Sequence, residues 1–186
     1  MINNKNDLKD YLECDKKALG RTKHRPAFND LIWKYEILLR KCEYWQNKNS
    51  IFALIPSLIY RYMRYNLGVK CNFTIPINVC GKGLCISHIG PIVISDYASI
   101  GENCRIHICV NIGADARDGK SAPKIGNNVY IGPGAKLYGA IKIADGIAIG
   151  ANSVVNKNFN TPNISIAGVP AKEISKCGSE GILNTK

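Results

Sequence analysis

Apolar positions along this 186-residue chain obey two different rules, and the change falls near Leu67-Gly68. Before it the spacing is helical. Asp7 to Leu19 predicts a short charged helix stopped by Gly20. Asn29-Asp30 can cap a longer helix from Leu31 to about Gln46, in which Ile32, Tyr35, Ile37, Leu38, Leu39 and Cys42 form an approximate stripe. A third apolar stretch, Ile51 to Tyr65, is interrupted by Pro56 and ends in Tyr60-Arg61-Tyr62-Met63-Arg64-Tyr65. It is too short and too charged to span a membrane, which takes roughly 20 apolar residues.

Beyond residue 80 aliphatic residues recur every six positions: Ile94, Ile100, Ile106 and Ile112, then Ile125, Ile131, Leu137, Ile143, Ile149 and Val155. Glycine often follows, as at Gly101, Gly113, Gly126, Gly132 and Gly150. The position two before each aliphatic is small or aliphatic, as at Ala98, Cys104, Val110, Val129 and Ala135. Six is not a helical period. Sustained over ten hexads, it predicts a parallel β-helix, with three hexads to each triangular coil and the recurring aliphatics filling the prism. Coils would stack at strand spacing, about 4.8 Å, with hydrogen bonds along the axis. Such a solenoid needs caps, and the N-terminal helices and the segment after Val155 are in place to provide them. The chain divides accordingly into a helical region 1–70, a β-helix 71–172 and a tail 173–186. The fold class is mainly β with an N-terminal α-helical extension.

Charge changes this picture at one end. Residues 1–70 hold 14 of the 25 basic residues but 7 of the 14 acidic ones, and the whole chain carries a formal charge of +11. A basic balance suits polyanions or phosphorylated ligands, and equally a lysine-rich surface. The eight cysteines include no C-x-x-C pair, which argues against a zinc knuckle. No apolar secretory stretch follows Met1. Free thiols in a reducing cytosol account for the count, so the expected location is cytoplasmic. Disorder is expected only in the first few residues and in the tail from Cys177.

Candidate chemistry lies where the lattice is broken. Counting six back from Ile94 lands on His88, an imidazole among aliphatics. It is either a core-edge histidine or a general base, since histidine titrates near neutrality. A full coil is 18 residues, so position 89 should lie over His107 and bring the two histidines one strand apart. Between Ile112 and Ile125 the interval is 13 residues, so seven leave the prism within Gly113–Pro123. A solenoid tolerates such an insertion only at a corner. A loop this long and charged is either functional or a variable surface loop.

Several blocks carry a resemblance: Ile86-Ser87-His88-Ile89-Gly90-Pro91-Ile92-Val93, Ile112-Gly113 with its loop, Ile131-Gly132-Pro133-Gly134-Ala135-Lys136, Ile149-Gly150-Ala151-Asn152-Ser153-Val154-Val155 and the closing Ala167-Gly168-Val169-Pro170-Ala171-Lys172. In this order they resemble the hexapeptide-repeat acyltransferases, and among them the serine O-acetyltransferase branch. The resemblance covers about Ile75 to Lys172. It implies a left-handed prism, a homotrimer that two helical regions could pair into a hexamer, and acetyl-CoA in the groove between subunits. It places the catalytic histidine on His88; His107 is a second candidate from the coil spacing alone, or else a surface histidine on a strand. Backbone around Gly113, Ala114, Gly134 and Ala151 would line the pantetheine. Lys172 and Lys157, with Lys136, would meet its phosphates. No metal is implied.

Three departures set this chain apart from that branch. The carboxylate that orients the histidine is Phe73 here, and the aspartate just before the histidine is Ser87. The Arg-His-Pro-Lys that grips an amino-acid carboxylate reads Ser121-Ala122-Pro123-Lys124. The pattern resembles instead the serine-acetyltransferase-like proteins of surface polysaccharide synthesis, which implies a sugar or sugar-conjugate acceptor. Serine O-acetylation proper, sugar N-acetylation and a non-enzymatic basic scaffold remain as alternatives. The Tyr/Arg alternation at 58–65 would let such a scaffold stack on nucleic-acid bases or make a peripheral membrane contact. No nucleic-acid motif appears. A γ-type carbonic anhydrase shares the prism but needs three zinc-binding histidines, and the repeat region has two.

Overall fold

The computed structural model describes residues 1–48 and 50–183. Helix α1 runs Lys5–Ala18. Asn4 starts it, its side chain accepting from the Asn6 and Asp7 N–H groups while Asp7 accepts back from Asn4. This reciprocal cap satisfies N–H groups that have no partner within the helix. Helix α2 runs Leu31–Gln46, capped by the Asp30 carboxylate on the Trp33 N–H. A 3-10 turn, Ile51–Ala53, leads into α3, Leu54–Cys71. Pro56 falls in the first turn of α3, where its missing N–H costs nothing, so the helix is unbroken. It continues past Tyr65 to Cys71 and stops at Asn72, whose φ of 60° no helix can continue.

From Phe73 onward the chain winds a left-handed parallel β-helix. Its strands are two to five residues long and form three sheets, one for each face of the prism. The first face stacks β1 (Phe73–Thr74), β3 (Ile92–Ile94), β6 (Val110–Gly113), β9 (Lys136–Tyr138) and β12 (Val154–Val155). The second stacks β4 (Ser99–Ile100), β7 (Lys124–Ile125) and β10 (Lys142–Ile143). The third stacks β2 (Cys85–Ile86), β5 (Arg105–Ile106), β8 (Tyr130–Ile131), β11 (Ala148–Ile149) and β13 (Ser165–Gly168), with β14 (Ala171–Ser175) folded antiparallel on β13. The hexad aliphatics point inward and line up by face: Ile94, Ile112, Leu137 and Val155, then Ile100, Ile125 and Ile143, then Ile106, Ile131 and Ile149, all buried. The seven extra residues are accommodated between β6 and β7. Ala116–Lys120 project into solvent there, and Asp115 pairs with Arg117 at 2.7 Å.

The open edge of the first coil exposes backbone groups that no preceding strand can pair, and helices α1 and α2 satisfy them with charge. Arg40 donates to the Cys80 and Gly81 carbonyls at 2.8 and 2.6 Å. Asp15 accepts from Leu84 N–H, Glu43 from Asn78 N–H and Glu36 from Ile86 N–H, at 2.9 to 3.0 Å. Arg40 also holds Asp15 at 2.7 Å and Glu43 at 3.0 Å, and all four side chains are buried. Burial pushes the Asp15 carboxyl up against the pull of Arg40, and pushes Glu36 well above the usual carboxylate range with Asp15 adding to it. These side chains are therefore structural pegs, each with a backbone partner on the prism.

Two end segments are more ordered than their composition predicts. Ile2 is fully buried, and the Met1 ammonium donates to Tyr11. After β14 the chain turns back along the prism. Ser179 N–H donates to Gly146 O, the Ser179 hydroxyl to Asn128 O, and Arg105 to Ile182 O at 2.8 Å. The outer side of α3 is apolar and open, with Ile55, Leu58, Ile59, Tyr62 and Tyr65 exposed. No helix among the described residues is long and apolar enough to cross a membrane.

Candidate active site

The corner between the third and first faces carries the histidines. In the second coil three residues, 107–109, join the end of β5 to the start of β6. In the first coil five residues, 87–91, join the end of β2 to the start of β3. Yet Ile86 pairs with Ile106 and Ile92 with Val110, so the two extra residues leave the lattice. His88 sits on that enlarged turn and is exposed. The expected inward place of His88 is instead held by Ile86, because the backward count of six crosses this insertion. The core-histidine reading goes with it, since nothing in the prism packs around an exposed ring.

The insertion also shifts what lies over His107. Ser87, not Ile89, takes that place: its N–H donates to Ile106 O, and its hydroxyl is 3.2 Å from His107 Nε2. The two imidazoles still meet, with ring centroids 5.9 Å apart. Tyr130 packs its ring 5.1 Å from His107 on the other side. Partial burial lowers the His107 pKa below 6.5, and the neighbouring charges of His88 and Arg105 lower it further. The neutral form of His107 is thus favoured, and its ring is hydrogen-bonded to Ser87. The His88 ring has no hydrogen-bond partner among the described residues and is free to engage an acceptor.

The expected donor residues divide between two edges of the first face. Gly134 and Ala151 lie on the same corner column as the histidines, and Gly134 N–H donates to Ile108 O beside His107. At Gly134 φ is +75°, and a Cβ would come 2.0 Å from Asn152 Oδ1, so a side chain there would be strained and would displace the Asn152 amide. Gly113 and Ala114 lie at the opposite edge, where Gly113 O accepts from Gly139 N–H and Ala114 packs on the core. Lys157 follows β12 at that edge, its ammonium over the Phe159 ring, and Lys172 is exposed on β14 opposite Ala167. Lys136 is exposed between the edges, its ammonium on Cys109 O. Bare backbone and unburied lysines fit a pantetheine arm and its phosphates.

The departures are built into the surroundings. Phe73 is a core residue, edge-on to Tyr35 at 5.0 Å, and Ala122 is buried. Ser121 is held by Asp118. Sequence reasoning missed the Ser87–His107 contact and the Tyr130 wall. The available signal was the 20-residue interval from Ile86 to Ile106, two more than a regular coil. Among the described residues no group of three or more His, Cys, Asp and Glu could hold a metal ion.

Comparison with known proteins agrees with this architecture. Residues 122–157 match the family model described as bacterial transferase hexapeptide (six repeats). The chain is 40% identical over 178 residues to the serine acetyltransferase of Staphylococcus aureus strain Mu50, covering 94% of this chain and 78% of that one. It is 33% identical over 154 residues to the serine acetyltransferase of Synechococcus elongatus, covering 82% of this chain but only 59% of that protein's length. A solved serine acetyltransferase in complex with CoA superposes with a TM-score of 0.71 at 26% identity, covering 91% of this chain and 71% of that one. Fold and repeats together define an acetyl-CoA-dependent acetyltransferase of the hexapeptide-repeat class. Within that class the chain belongs to the serine acetyltransferase family.

Proposed function

We propose that this protein moves the acetyl group of acetyl-CoA to the hydroxyl of a sugar or sugar conjugate rather than to free serine. The acceptor reading is carried by four uncharged residues, Phe73, Ser87, Ser121 and Ala122, at the positions where the resemblance places the groups that recognise serine; of these, Ser87 lies on the histidine corner, its hydroxyl against His107. The relatives are named for serine; the acceptor of this chain is read from its own residues.

His88 takes the proton of the acceptor hydroxyl as that oxygen attacks the thioester carbonyl. The C–O bond forms, the tetrahedral oxyanion collapses, the C–S bond breaks, and the protonated His88 returns its proton to the departing thiolate. No acyl-enzyme is needed. His107, tied to Ser87, fixes the turn that carries His88. Backbone N–H groups around Gly113, Ala114, Gly134 and Ala151 line the donor arm, and Lys157 and Lys172 face its phosphates. Positioning and oxyanion donors supply the rest of the acceleration.

Free L-serine is expected to be a poor acceptor. Its carboxylate meets no cation at Ser121 and Ala122, and its ammonium meets no anion at Ser87. Each charged group left unpaired costs at least about 1.5–3 kcal/mol, and 1.4 kcal/mol is about tenfold in rate. A sugar hydroxyl should exceed serine in kcat/KM by about 100-fold or more. The measurement is a side-by-side panel of L-serine, hexoses, aminosugars and nucleotide sugars. Efficient acetylation of serine with the sugars inert would overturn the acceptor reading.

Gly134 and Ala151 lie at one edge of the first face and Gly113 and Ala114 at the other, so a second prism is needed to close a groove over them. We propose a homotrimer, and light scattering should return about three times the 20.4 kDa chain mass. Pairing of two trimers through the helices would double that value. A monomer or dimer at micromolar concentration would rule the shared groove out.

A further inference from the structure

Helices α1 and α2 are pegged to the strand that precedes His88. Asp15, near the end of α1, accepts from Leu84 N–H, and Glu36, near the start of α2, accepts from Ile86 N–H. The loop between them, residues 19–30, is thereby held beside the histidine turn. A cleft of about 480 Å³ separates the two. Ile89, the residue after His88, forms one wall, and Arg21, Thr22, Lys23, Asn29 and Trp33 form others. That volume falls within the roughly 300–1,000 Å³ typical of small-molecule sites.

The charge of this cleft is one-sided. Its one acidic lining residue, Asp30, is already used: it accepts from Arg21 at 2.7 Å and from the Trp33 N–H. Lys23 lines the cleft with no ion-pair partner among the described residues, and Arg25, two residues on in the same exposed loop, has none either. The loop reads Arg21-Thr22-Lys23-His24-Arg25, and helix α2 begins just after it. Cations that no carboxylate neutralises, beside an exposed base, attract an anionic substrate group and orient it by charge-assisted hydrogen bonds.

We propose that this cleft is the acceptor subsite and that the acceptor is phosphorylated, a sugar phosphate or nucleotide sugar whose phosphate is held by Lys23, with Arg25 adding positive charge from the same loop outside the lining, while a hydroxyl is presented to His88, the neighbour of the wall residue Ile89. This inference rests on the sugar-acceptor reading and narrows it. Arg21 is a positioning residue here, since its guanidinium locks the loop to Asp30 and leaves Lys23 facing the cleft.

The test compares acetylation of glucose 1-phosphate, glucuronic acid and methyl glucoside by the full chain and by Lys23→Glu and Arg25→Glu. These side chains are exposed, and an unchanged Tm verifies folding. In the wild type the phosphate should have the lowest KM. Each reversal should raise that KM about tenfold or more, with a clearly smaller change in the KM of methyl glucoside. Calorimetric titration with glucose 1-phosphate, without acetyl-CoA, should show the same loss of affinity, so the readout does not depend on turnover. Methyl glucoside used as well as the phosphate, with both variants neutral, would overturn the phosphorylated acceptor and leave sugar acetylation standing. Preference for glucuronic acid would replace the phosphate by a carboxylate and also overturn it. All three sugars inert beside efficient serine transfer would instead remove the acceptor reading on which it rests.

Discussion

Replacing His88 with alanine should lower turnover by about 10²–10⁴-fold, the range that a general base contributes, while affinity for CoA is retained. The two effects separate because the residues assigned to the donor, from Gly113 to Lys172, do not include His88. The exposed ring supports no packing, so the variant should unfold at the wild-type temperature. That isolates chemistry from stability. Steady-state rates with the best acceptor, together with calorimetric CoA titration, give both numbers. A His88→Ala enzyme at near wild-type rate would take this residue out of the mechanism and turn attention to His107.

A comparable loss, in stability instead of rate, is expected at Arg40. Substitution by alanine removes the partner of two buried carboxylates and the donor for two carbonyls on the first coil. Truncating one member of a buried ion pair costs about 3–5 kcal/mol, chiefly through the charge left behind. For a chain of this length that lowers Tm by roughly 10 °C. Burial and the two carboxylates compete over Arg40, and the carboxylates prevail, raising its pKa further still, so the wild-type group is charged at every ordinary pH. Denaturant unfolding should show a lower midpoint for Arg40→Ala. An unchanged midpoint would mean that the helices are not fastened to the prism by this residue.

The prism was legible because its constraint is local and repeated. Every sixth side chain must enter a narrow interior, so Ile94 to Val155 betray their places one by one. The same logic failed at His88, where Gly90-Pro91 ends a turn two residues longer than the next, and a count of six passes through it unawares. The start of α2 was legible from Asp30, a cap whose carboxylate has a nearby N–H to satisfy. The end of α3 was not, because the side it turns outward is as apolar as its inner side and no polar face marks the helical period past Tyr65. Nor could the role of Arg40, Asp15 and Glu43 be seen, since charge on a helix ordinarily means solvent. Their partners are backbone groups 35 to 69 residues away. The tail looked too polar to be ordered; its order comes from single hydrogen bonds laid along a regular column, as at Ser179, not from a hydrophobic pattern.

That returning tail changes the mechanical character of the molecule. A stacked repeat ordinarily behaves as a row of coins, in which the terminal member can slip without disturbing those further in. Here the segment from Cys177 to Ile182 is stitched to residues at positions 165, 146, 128 and 105 in turn. The stack is bound along its spine like the signatures of a book. Loosening the last page pulls on a thread that runs up to the leaf bearing His107, so the far end of the prism and the catalytic corner share one fate.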